Sequence, residues 1–384
     1  LNMKRRNFIK LSISTALFIL SPVKIMAKST NKKTLVLIEL DGGNDGLNTV
    51  IPYKSKKYYD LRPTIALKND DINIIDENYA LNKNLLNLHT LYKEKSVAII
   101  NALGYEKPNL SHFKSIQIVE TAGNGKSLGK EGWISSHLRK YKLDEKTPAN
   151  AMLIGKRKKG YLYAPDLTVL QLRNIDNFIK KSSKLKSSRK IGKVNDNLDF
   201  LFKQEESILN ASKSLEKYTK NISIKTSFSS NDLSKDFKEA AKIIKSPLDI
   251  PVIKISQKGY DTHSNQVLRQ SELLKNLDLS LGSFIKELKQ SDLYNDVLIM
   301  TYSEFGRRVK ENGSNGTDHG TASVQFVLGG AVKGGVYGDV NLNDLKKNNL
   351  KYTHDYKELY NTILSKWFKS KDNSFKAYKT INFL

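Results

Sequence analysis

The chain has 384 residues, no cysteine and a formal net charge of +25. Its length is sufficient for one large α/β domain or two ordinary domains, each with a sizeable core. The absence of cysteine excludes disulfides, thiolate nucleophiles and cysteine-ligated zinc or iron–sulfur sites. Any metal must therefore be held by His, Asp, Glu or hydroxyl groups.

The positive charge comes mostly from lysine, with 54 Lys against 10 Arg. Basic residues are densest at 156–159 and 180–190, where aromatic residues are few. Proteins that bind nucleic acid usually combine basic patches with stacking aromatic residues or a recognisable module. The composition therefore argues against a specific nucleic-acid partner, although a basic surface still attracts anionic ligands and anionic lipid headgroups.

The first 27 residues have the features of an export signal. Basic residues 4–6 precede an apolar run that ends at Leu20, and we predict cleavage after Ala27. The letters RRNFIK resemble a twin-arginine signal, and the apolar run is shorter than the ~20 residues of a membrane span. We predict export by the twin-arginine route to the periplasm or its equivalent, with a retained anchor as the alternative. Membrane contact is expected only through this signal or through surface charge.

Apolar runs bounded by polar turns predict strands, and amphipathic stretches between them predict helices. The predicted strands are residues 35–40, 97–102, 252–255, 297–302 and 324–328. The predicted helices are residues 82–93, a helix beginning near Ser111, and residues 197–220, 232–245 and 266–289. Alternating strands and helices predict an α/β fold with a mostly parallel central sheet and helices on both faces.

The predicted domain organisation is a signal peptide at 1–27 followed by a single α/β domain at 28–384. A basic helical insertion is expected around 175–250. Its lysine- and serine-rich part, residues 180–197, has the composition of an exposed linker.

Polar residues follow four of the predicted strands. In open parallel sheets, ligands bind beyond the carboxyl ends of the strands. The residues at these ends are Asp41, the segment around Ser111, Asp261 and Glu304, with His263 and His319 in nearby loops. Carboxylates and imidazoles at one edge of a sheet predict a metal site.

Six segments carry a resemblance that spans the chain. They are LDGGNDGLNTVIPY, YYDLRPTIAL, NLSHFKS, GYDTHSNQ, SEFGRRVKENGSNGTDHG and GGVYGD. Together with the signal, they resemble the domain-of-unknown-function family numbered 1501, which consists of twin-arginine-exported proteins of the alkaline phosphatase and sulfatase superfamily. The resemblance implies an alkaline-phosphatase-like fold.

The superfamily resemblance also implies a pair of divalent metals beside a hydroxyl nucleophile. Asp41 matches the first carboxylate ligand, and Ser111 matches the nucleophile at a helix start, where the positive helix end favours an alkoxide. The alternative for Ser111 is a serine that only caps the helix. A turn-forming role is the alternative for Asp41 in its DGG sequence.

The other implied ligands depart from the superfamily pattern in places. Asp261 and His263 match an Asp and His pair at one metal, although only Thr262 separates them here. Glu304 stands where Asp is usual, and Phe305 replaces an adjacent His ligand. His319 matches a late histidine, and Asp318 either binds metal or orients that histidine.

Neighbouring residues are candidates for substrate contacts. Arg307 and Arg308 are predicted to hold phosphate or sulfate oxygens through bidentate hydrogen bonds, or else to form surface salt bridges. Asn44 in the loop after Asp41 is predicted to donate to an oxyanion, with turn formation as its alternative, and the same holds for Asn48. His112 is a candidate substrate-binding residue beside Ser111.

These features predict an exported metal-dependent hydrolase of phosphate or sulfate esters. Histidine and carboxylate ligands suit zinc or manganese, bound as one or two ions. The expected substrate is a small anionic ester or an anionic glycan. The main alternative is a non-catalytic protein that binds an anionic glycan or a protein partner in the inherited cleft, which Phe305 would favour. A Ser-His-Asp hydrolase is a weaker alternative because no G-x-S-x-G elbow is present.

Overall fold

The computed structural model describes residues 32–155, 162, 164–185 and 196–384, with the backbone alone described for 196–200. Residues Lys33–Leu384 form one compact unit. The predicted signal peptide and residues 186–195 of the predicted linker lie outside the described residues. No helix in the described ranges is long and apolar enough to cross a membrane.

The central sheet has nine strands among the described residues, and two small sheets lie beside it. In chain order the strands are β1 Thr34–Asp41, β2 Val50–Ile51, β3 Ile72–Ile74, β4 Ala80–Asn82, β5 Val97–Gly104, β6 Ala151–Ile154, β7 Val169–Leu172, β8 Val252–Lys258, β9 Val297–Tyr302, β10 Ser323–Leu328, β11 Gly335–Tyr337, β12 Leu345–Lys346, β13 Asn349–Leu350 and β14 His354–Asp355.

The central sheet has the order β11-β5-β10-β9-β1-β8-β6-β7, and β14 also pairs with β5. Strand β10 is antiparallel to β5 and β9. The other pairs are parallel. The predicted mostly parallel sheet is therefore confirmed.

Helices connect most of the central strands. They are α1 Lys56–Leu61, α2 Leu86–Lys93, α3 His112–Thr121, α4 Ser135–Leu138, α5 Ile175–Ser182, α6 Asp196–Thr219, α7 Asp232–Lys245, α8 Gln266–Gln290 and α9 Tyr356–Thr362, with a π-helical turn at Ile363–Trp367. Short 3₁₀ turns lie at Gly46–Asn48, Asn69–Asp71 and Tyr294–Asp296. The predicted helix start at Asn82 is wrong, because Ala80–Asn82 pairs as a strand with β2 and β3.

Alternation along the strands divides the apolar side chains between two cores, because successive residues of a strand face opposite sides of the sheet. Val36 and Ile38 of β1 pack in a core that also contains residues of α2, α7 and α8. Leu35 and Leu37 pack in a second core with residues of α3 and α9. The predicted placement of helices on both faces is therefore confirmed.

Strands β8, β1 and β9 are adjacent and parallel, so the loops that follow them meet at one edge. Asp41 at the end of β1 pairs in register with Lys258 at the end of β8. Glu39 pairs with Tyr302 at the end of β9. The segments around Gly42, Asp261 and Glu304 consequently leave the sheet side by side, as the sequence predicted.

A buried ion pair fixes these loops to one another. The guanidinium of Arg62, which is fully buried, lies 2.5 Å from Asp45 Oδ2 through Nη1 and 3.0 Å from Oδ1 through Nη2. Arg62 Nε also donates to the Val309 carbonyl at 2.8 Å. The Gln266 amide donates to Asp45. The loops after β1, β8 and β9 therefore share one hydrogen-bonded network.

A second buried cluster fixes α3, which carries His112 at its first turn. Lys254 of β8 is 2% exposed, and its ammonium lies 2.5 Å from Glu120 of α3 and 3.2 Å from Glu39 of β1. The Tyr302 hydroxyl donates to the same Glu120 oxygen at 2.7 Å. The orientation of α3 relative to the sheet therefore depends on one buried lysine between two carboxylates.

We expect Lys254→Met to lower the free energy of unfolding by about 3–5 kcal/mol, because it leaves two carboxylates in the core without their counter-charge. Lys258→Met, at the exposed end of the same strand, is the matched control and should change stability little. Urea unfolding of both variants measures the difference. Equal losses in the two variants would contradict the role given to Lys254.

Candidate metal centre

The carboxylate of Asp261 lies at the middle of a cluster of histidines. Its Oδ1 atom lies 3.0 Å from His263 Nε2 and 3.2 Å from His319 Nε2. Its Oδ2 atom lies 3.5 Å from His112 Nε2. The Nε2 atoms of His263 and His319 are themselves 3.0 Å apart. We call these four residues the histidine–aspartate cluster.

Two imidazoles of the cluster have an oxygen acceptor at Nδ1. His112 Nδ1 lies 2.6 Å from Glu304 Oε1, and His319 Nδ1 lies 2.9 Å from the Leu110 carbonyl. A proton on each of these Nδ1 atoms leaves Nε2 as the nitrogen with a free lone pair, as in metal-binding histidines. His263 Nδ1 lies 3.5 Å from Asp318 Oδ1, which is an ion-pair distance rather than a hydrogen bond. The Nε2 atoms of all three histidines face the Asp261 carboxylate.

The spacing of the converging atoms fits a divalent ion. Zn²⁺ with nitrogen and oxygen ligands at about 2.0–2.1 Å in a tetrahedron separates those ligands by about 3.3 Å. The atoms of Asp261, His263 and His319 are separated by 3.0–3.2 Å. The donors of His112, Asp261 and His319 also lie within 4.8 Å of one another. Imidazole lone pairs and a carboxylate at these distances repel one another unless a cation or protons lie among them.

Two pKa shifts follow from this geometry. Partial burial raises the pKa of Asp261, but the hydrogen bond and the charge of Arg307 outweigh it and, with His319 and His263, lower the pKa to about 2. The hydrogen bond to Glu304 raises the pKa of His112, although burial opposes that shift. Asp261 is therefore ionised at neutral pH, as a metal-binding carboxylate must be.

Arg307 is buried with its guanidinium facing the loops of the protein. Its side chain is not exposed, and Nη2 donates to Asp261 Oδ1 at 2.6 Å. Its other acceptors are main-chain carbonyls: Gly43 at 2.7 Å, Thr317 at 2.9 Å, Tyr260 at 3.0 Å, and Gly42. These contacts favour a role in positioning Asp261. The predicted contact between Arg307 and a substrate oxyanion stays a prediction.

Glu304 is 3% exposed and lies behind His112. Its carboxylate accepts from the Gly42 N–H at 3.0 and 3.2 Å and from the Ser303 hydroxyl at 3.1 Å, in addition to His112. These contacts favour an orienting role for Glu304. Direct metal ligation by Glu304 and by Asp318 stays a prediction.

Phe305 packs against the imidazoles. Its ring centroid lies 4.9 Å from that of His112 and 4.6 Å from that of His319, and the residue is 4% exposed. On its other side the ring reaches Gly43, which has φ +79°, and a Cβ atom there would overlap the ring. The second glycine of the DGG sequence is therefore required both by its backbone conformation and by the space that Phe305 takes.

Ser111 is exposed and immediately precedes α3. Its hydroxyl makes no capping hydrogen bond to the helix, and its backbone has φ −89° and ψ 125°. One neighbour, His112, belongs to the histidine–aspartate cluster, and the other, Leu110, contacts His319 of the cluster through its carbonyl. The capping alternative for Ser111 is therefore not supported, and the segment that carries it is fixed at the edge of the cluster.

The two asparagines after β1 are buried. The Asn44 side chain accepts from Thr49 Oγ1 and Gln270 Nε2, each at 3.2 Å. Asn48 donates to the Ile65 carbonyl at 2.7 Å and accepts from Arg62 at 2.7 Å. Both side chains bind neighbouring segments of the protein, which favours the structural alternative given for them.

Asp41 and Arg308 are the remaining predicted residues. The main-chain carbonyl of Asp41 accepts from the Tyr260 N–H at 3.1 Å. Its carboxylate does not belong to the metal-capable group of donors found in the described residues. Arg308 is exposed, and its backbone N–H donates to the Asp318 carbonyl at 2.9 Å. Their predicted roles in metal and substrate binding stay predictions.

Sequence reasoning missed several residues that support the cluster. Asn312 donates to the His263 carbonyl at 3.0 Å and to Asp318 Oδ1 at 3.3 Å. The Leu110 carbonyl orients His319, and a main-chain acceptor leaves no signal in the residue type. Arg62, in contrast, lies in the YYDLRPTIAL segment, whose arginine among apolar residues was a usable sign of a buried ion pair.

The fold and the histidine–aspartate cluster define an α/β protein with a candidate metal centre at the carboxyl edge of its sheet. The sequence profile of the family described as Protein of unknown function (DUF1501) matches residues 32–380. The chain therefore belongs to this family. No curated protein matches it by sequence.

Several solved structures are similar in fold. A protein in the alkaline phosphatase superfamily from Vibrio parahaemolyticus has 11% identity and a TM-score of 0.41, over 98% of this chain and 78% of that one. The C-terminal periplasmic domain of EcEptC from Escherichia coli, in complex with Zn, has 9% identity and a TM-score of 0.37, over 79% and 74%. The PsFucS1 sulfatase from Pseudoalteromonas sp. has 13% identity and a TM-score of 0.39, over 92% and 75%. Because these identities and TM-scores are low, the roles of residues in this chain are argued from its own geometry alone.

We expect Arg307→Lys to weaken Zn²⁺ binding by about 10-fold or more, because an ammonium cannot replace the fork that holds Asp261 and the surrounding carbonyls. Arg308→Lys, at the exposed neighbouring position, is the matched control and should bind as the wild type does. Competition with a fluorescent zinc chelator measures both affinities. Unchanged affinity in Arg307→Lys would contradict the positioning role.

Proposed function

We propose that the chain is an exported metal-dependent hydrolase of phosphate or sulfate esters with Ser111 as its nucleophile. The observation that carries the proposal is the position of Ser111. Ser111 is exposed and caps no helix N–H, its neighbour His112 belongs to the histidine–aspartate cluster, and its neighbour Leu110 contacts His319 of that cluster. A hydroxyl fixed beside a group of metal-binding donors is the arrangement that nucleophilic ester hydrolysis needs.

The residues that would hold the ion are Asp261, His263 and His319, with His112 as a further donor. Three imidazoles and a carboxylate without a thiolate suit Zn²⁺ or Mn²⁺. When bound, such an ion stabilises negative charge on the transferring group and favours ionisation of a nearby hydroxyl. Asp261 supplies a negative charge at neutral pH, and the acceptors at Nδ1 keep His112 and His319 in the tautomer that binds metal.

In the proposed reaction, Ser111 Oγ bonds to the phosphorus or sulfur atom of the ester while the bond from that atom to the alcohol oxygen breaks. The serine proton passes to solvent, and the departing alcohol oxygen takes a proton from solvent. Water then attacks the serine ester, which releases phosphate or sulfate and restores Ser111. The start of α3 places the positive end of a helix at Ser111 and favours negative charge there.

The proposed substrate is an anionic ester, either small or part of a glycan. The mature chain would carry a net charge of +20 after loss of the five basic and no acidic residues in 1–27. A strongly positive surface raises the local concentration of anionic molecules. Exposed Arg308 beside the cluster is a candidate contact for a substrate oxygen. Delivery to the periplasm through the predicted signal belongs to the same proposal.

One observation favours a second candidate function, the binding of an anionic glycan or protein partner without catalysis. Phe305 presents hydrocarbon to His112 and His319, where the superfamily resemblance implies a further ligand. Without that ligand the centre lacks a residue that would hold the second ion of the implied pair. It would then stabilise the negative charge on a transferring phosphoryl or sulfuryl group less well. Metal binding without turnover of any ester is the result that this candidate function predicts.

We expect Ser111→Ala to lower kcat for p-nitrophenyl phosphate or sulfate by at least about 10³-fold and to keep its metal, since the variant removes the nucleophile but no ligand. Ser314→Ala, at an exposed serine in the loop before His319, is the matched control. Steady-state kinetics with metal analysis separates the outcomes. Wild-type turnover by Ser111→Ala would exclude this nucleophile, whereas a metal-loaded wild type inactive on both ester classes would favour the binding function.

A further inference from the structure

We infer that a cleft at the carboxyl ends of β6, β7 and β8 binds a part of an anionic glycan that is remote from the reacting ester. The cleft has a volume of about 530 Å³, within the ~300–1,000 Å³ of ligand pockets. Gly155 after β6, Arg173 after β7 and Lys258 at the end of β8 line it, and we call it the distal cleft. The inference rests on the proposed function and deepens it, because it assigns the substrate to extended glycans rather than to small esters.

The distal cleft adjoins the candidate metal centre at the same edge of the sheet. Strand β8 lies between β1 and β6, and Lys258 pairs in register with Asp41. Asp261 follows Lys258 by three residues, so the Cα atoms of these two residues are at most ~11 Å apart. Ligands of open parallel sheets bind beyond the carboxyl ends of the strands, where both sites lie. A glycan with its ester at the centre can therefore place a neighbouring sugar in the cleft.

The side chains of the distal cleft offer both hydrogen-bond donors and acceptors. The polar ones near its mouth are Arg173, Asn177, Asp232, Lys235, Asp236 and Lys258. Arginine and lysine only donate, carboxylates only accept, and an amide does both. Sugar hydroxyls also donate and accept, so they can satisfy each of these groups. A free sulfate ion has no donor for the two aspartates, and this mixed set therefore favours a polyhydroxyl ligand.

The charge of the cleft favours a glycan that is also anionic. Arg173, Lys235 and Lys258 against Asp232 and Asp236 leave one net positive charge, and the first turn of the 14-residue α7 adds the positive end of a helix. Lys235 lies 3.5 Å from Asp232 and offsets its charge. Arg173 and Lys258 are exposed and come from different strands. We assign these two to a sulfate, phosphate or carboxylate group of the glycan, because charged donors make the stronger hydrogen bonds to such oxygens.

The floor and one wall of the cleft are fixed by contacts within the protein. Gln257 in the floor donates to the Leu273 carbonyl at 2.9 Å. Gly155 has φ +106°, and a Cβ atom there would lie 2.5 Å from Asp236 Oδ2. Glycine at this position therefore allows α7 to approach the main chain after β6. A cleft with a fixed floor and wall loses less entropy when a ligand binds.

Calorimetric titration of the full chain, dialysed against Zn²⁺, tests the cleft without relying on turnover. The probes are hexasaccharides of chondroitin sulfate, heparin and carrageenan, and Ser111→Ala in every protein prevents cleavage. We expect Arg173→Gln combined with Lys258→Gln to weaken hexasaccharide binding by about 10-fold or more, because hydrogen bonds from charged groups are lost. Lys238→Gln combined with Lys275→Gln removes the same charge at exposed positions outside the cleft and is the matched control. Equal effects of the two pairs, or no binding of any hexasaccharide, would overturn the inference.

Kinetics with Ser111 restored separates the distal cleft from the centre. The Arg173 and Lys258 pair of substitutions should raise KM for an oligosaccharide ester and keep its kcat, and should leave both constants for a p-nitrophenyl ester unchanged. Parallel losses on both substrates would overturn the inference. Hydrolysis of the p-nitrophenyl ester without binding of any hexasaccharide would also overturn it and leave the proposed function standing. Hexasaccharide binding that depends on Arg173 and Lys258, without hydrolysis of any ester, would overturn the proposed hydrolysis and support the cleft.

Discussion

The guanidinium of Arg307 is the contact on which the arrangement of the centre depends. It donates to carbonyls of Gly42 and Gly43 after β1, of Tyr260 after β8 and of Thr317 before His319, and to the carboxylate of Asp261. A buried guanidinium is tolerated because acceptors surround it, and a planar fork can reach several at once. One side chain therefore fixes three loops and keeps the Asp261 carboxylate ionised.

Two other donors of the cluster are also held by contacts on their far side. The Nδ1 acceptors for His112 and His319 come from the end of β9 and from the segment before α3. Lys254 fixes α3 to the sheet through Glu120. Preorganisation of this kind lowers the cost of binding an ion. It also places Ser111 at the edge of the cluster without using its hydroxyl.

The sequence predicts the strands and the meeting of Asp261 with His263 and His319, because apolar runs define the strands and parallel strands bring their ends to one edge. It does not predict which way a side chain turns after the strand has ended. Arg307 was expected to hold a substrate oxyanion or to form a surface salt bridge, and nothing in the sequence indicated that the loops after β1, β8 and β9 would put four carbonyls around it. Asn44 turns inward for a similar reason, since Thr49 and Gln270 provide its partners. The contact between the Leu110 carbonyl and His319 could not be predicted, because every residue type has the same main-chain carbonyl.

The central claim is that the histidine–aspartate cluster binds a divalent metal ion. X-ray absorption at the zinc edge of the zinc-loaded protein tests it most directly, because imidazole ligands produce a characteristic multiple-scattering pattern. The account predicts imidazole nitrogen ligands with oxygen completing the shell, all at about 2.0–2.1 Å. A shell of oxygen atoms without imidazole scattering would contradict it.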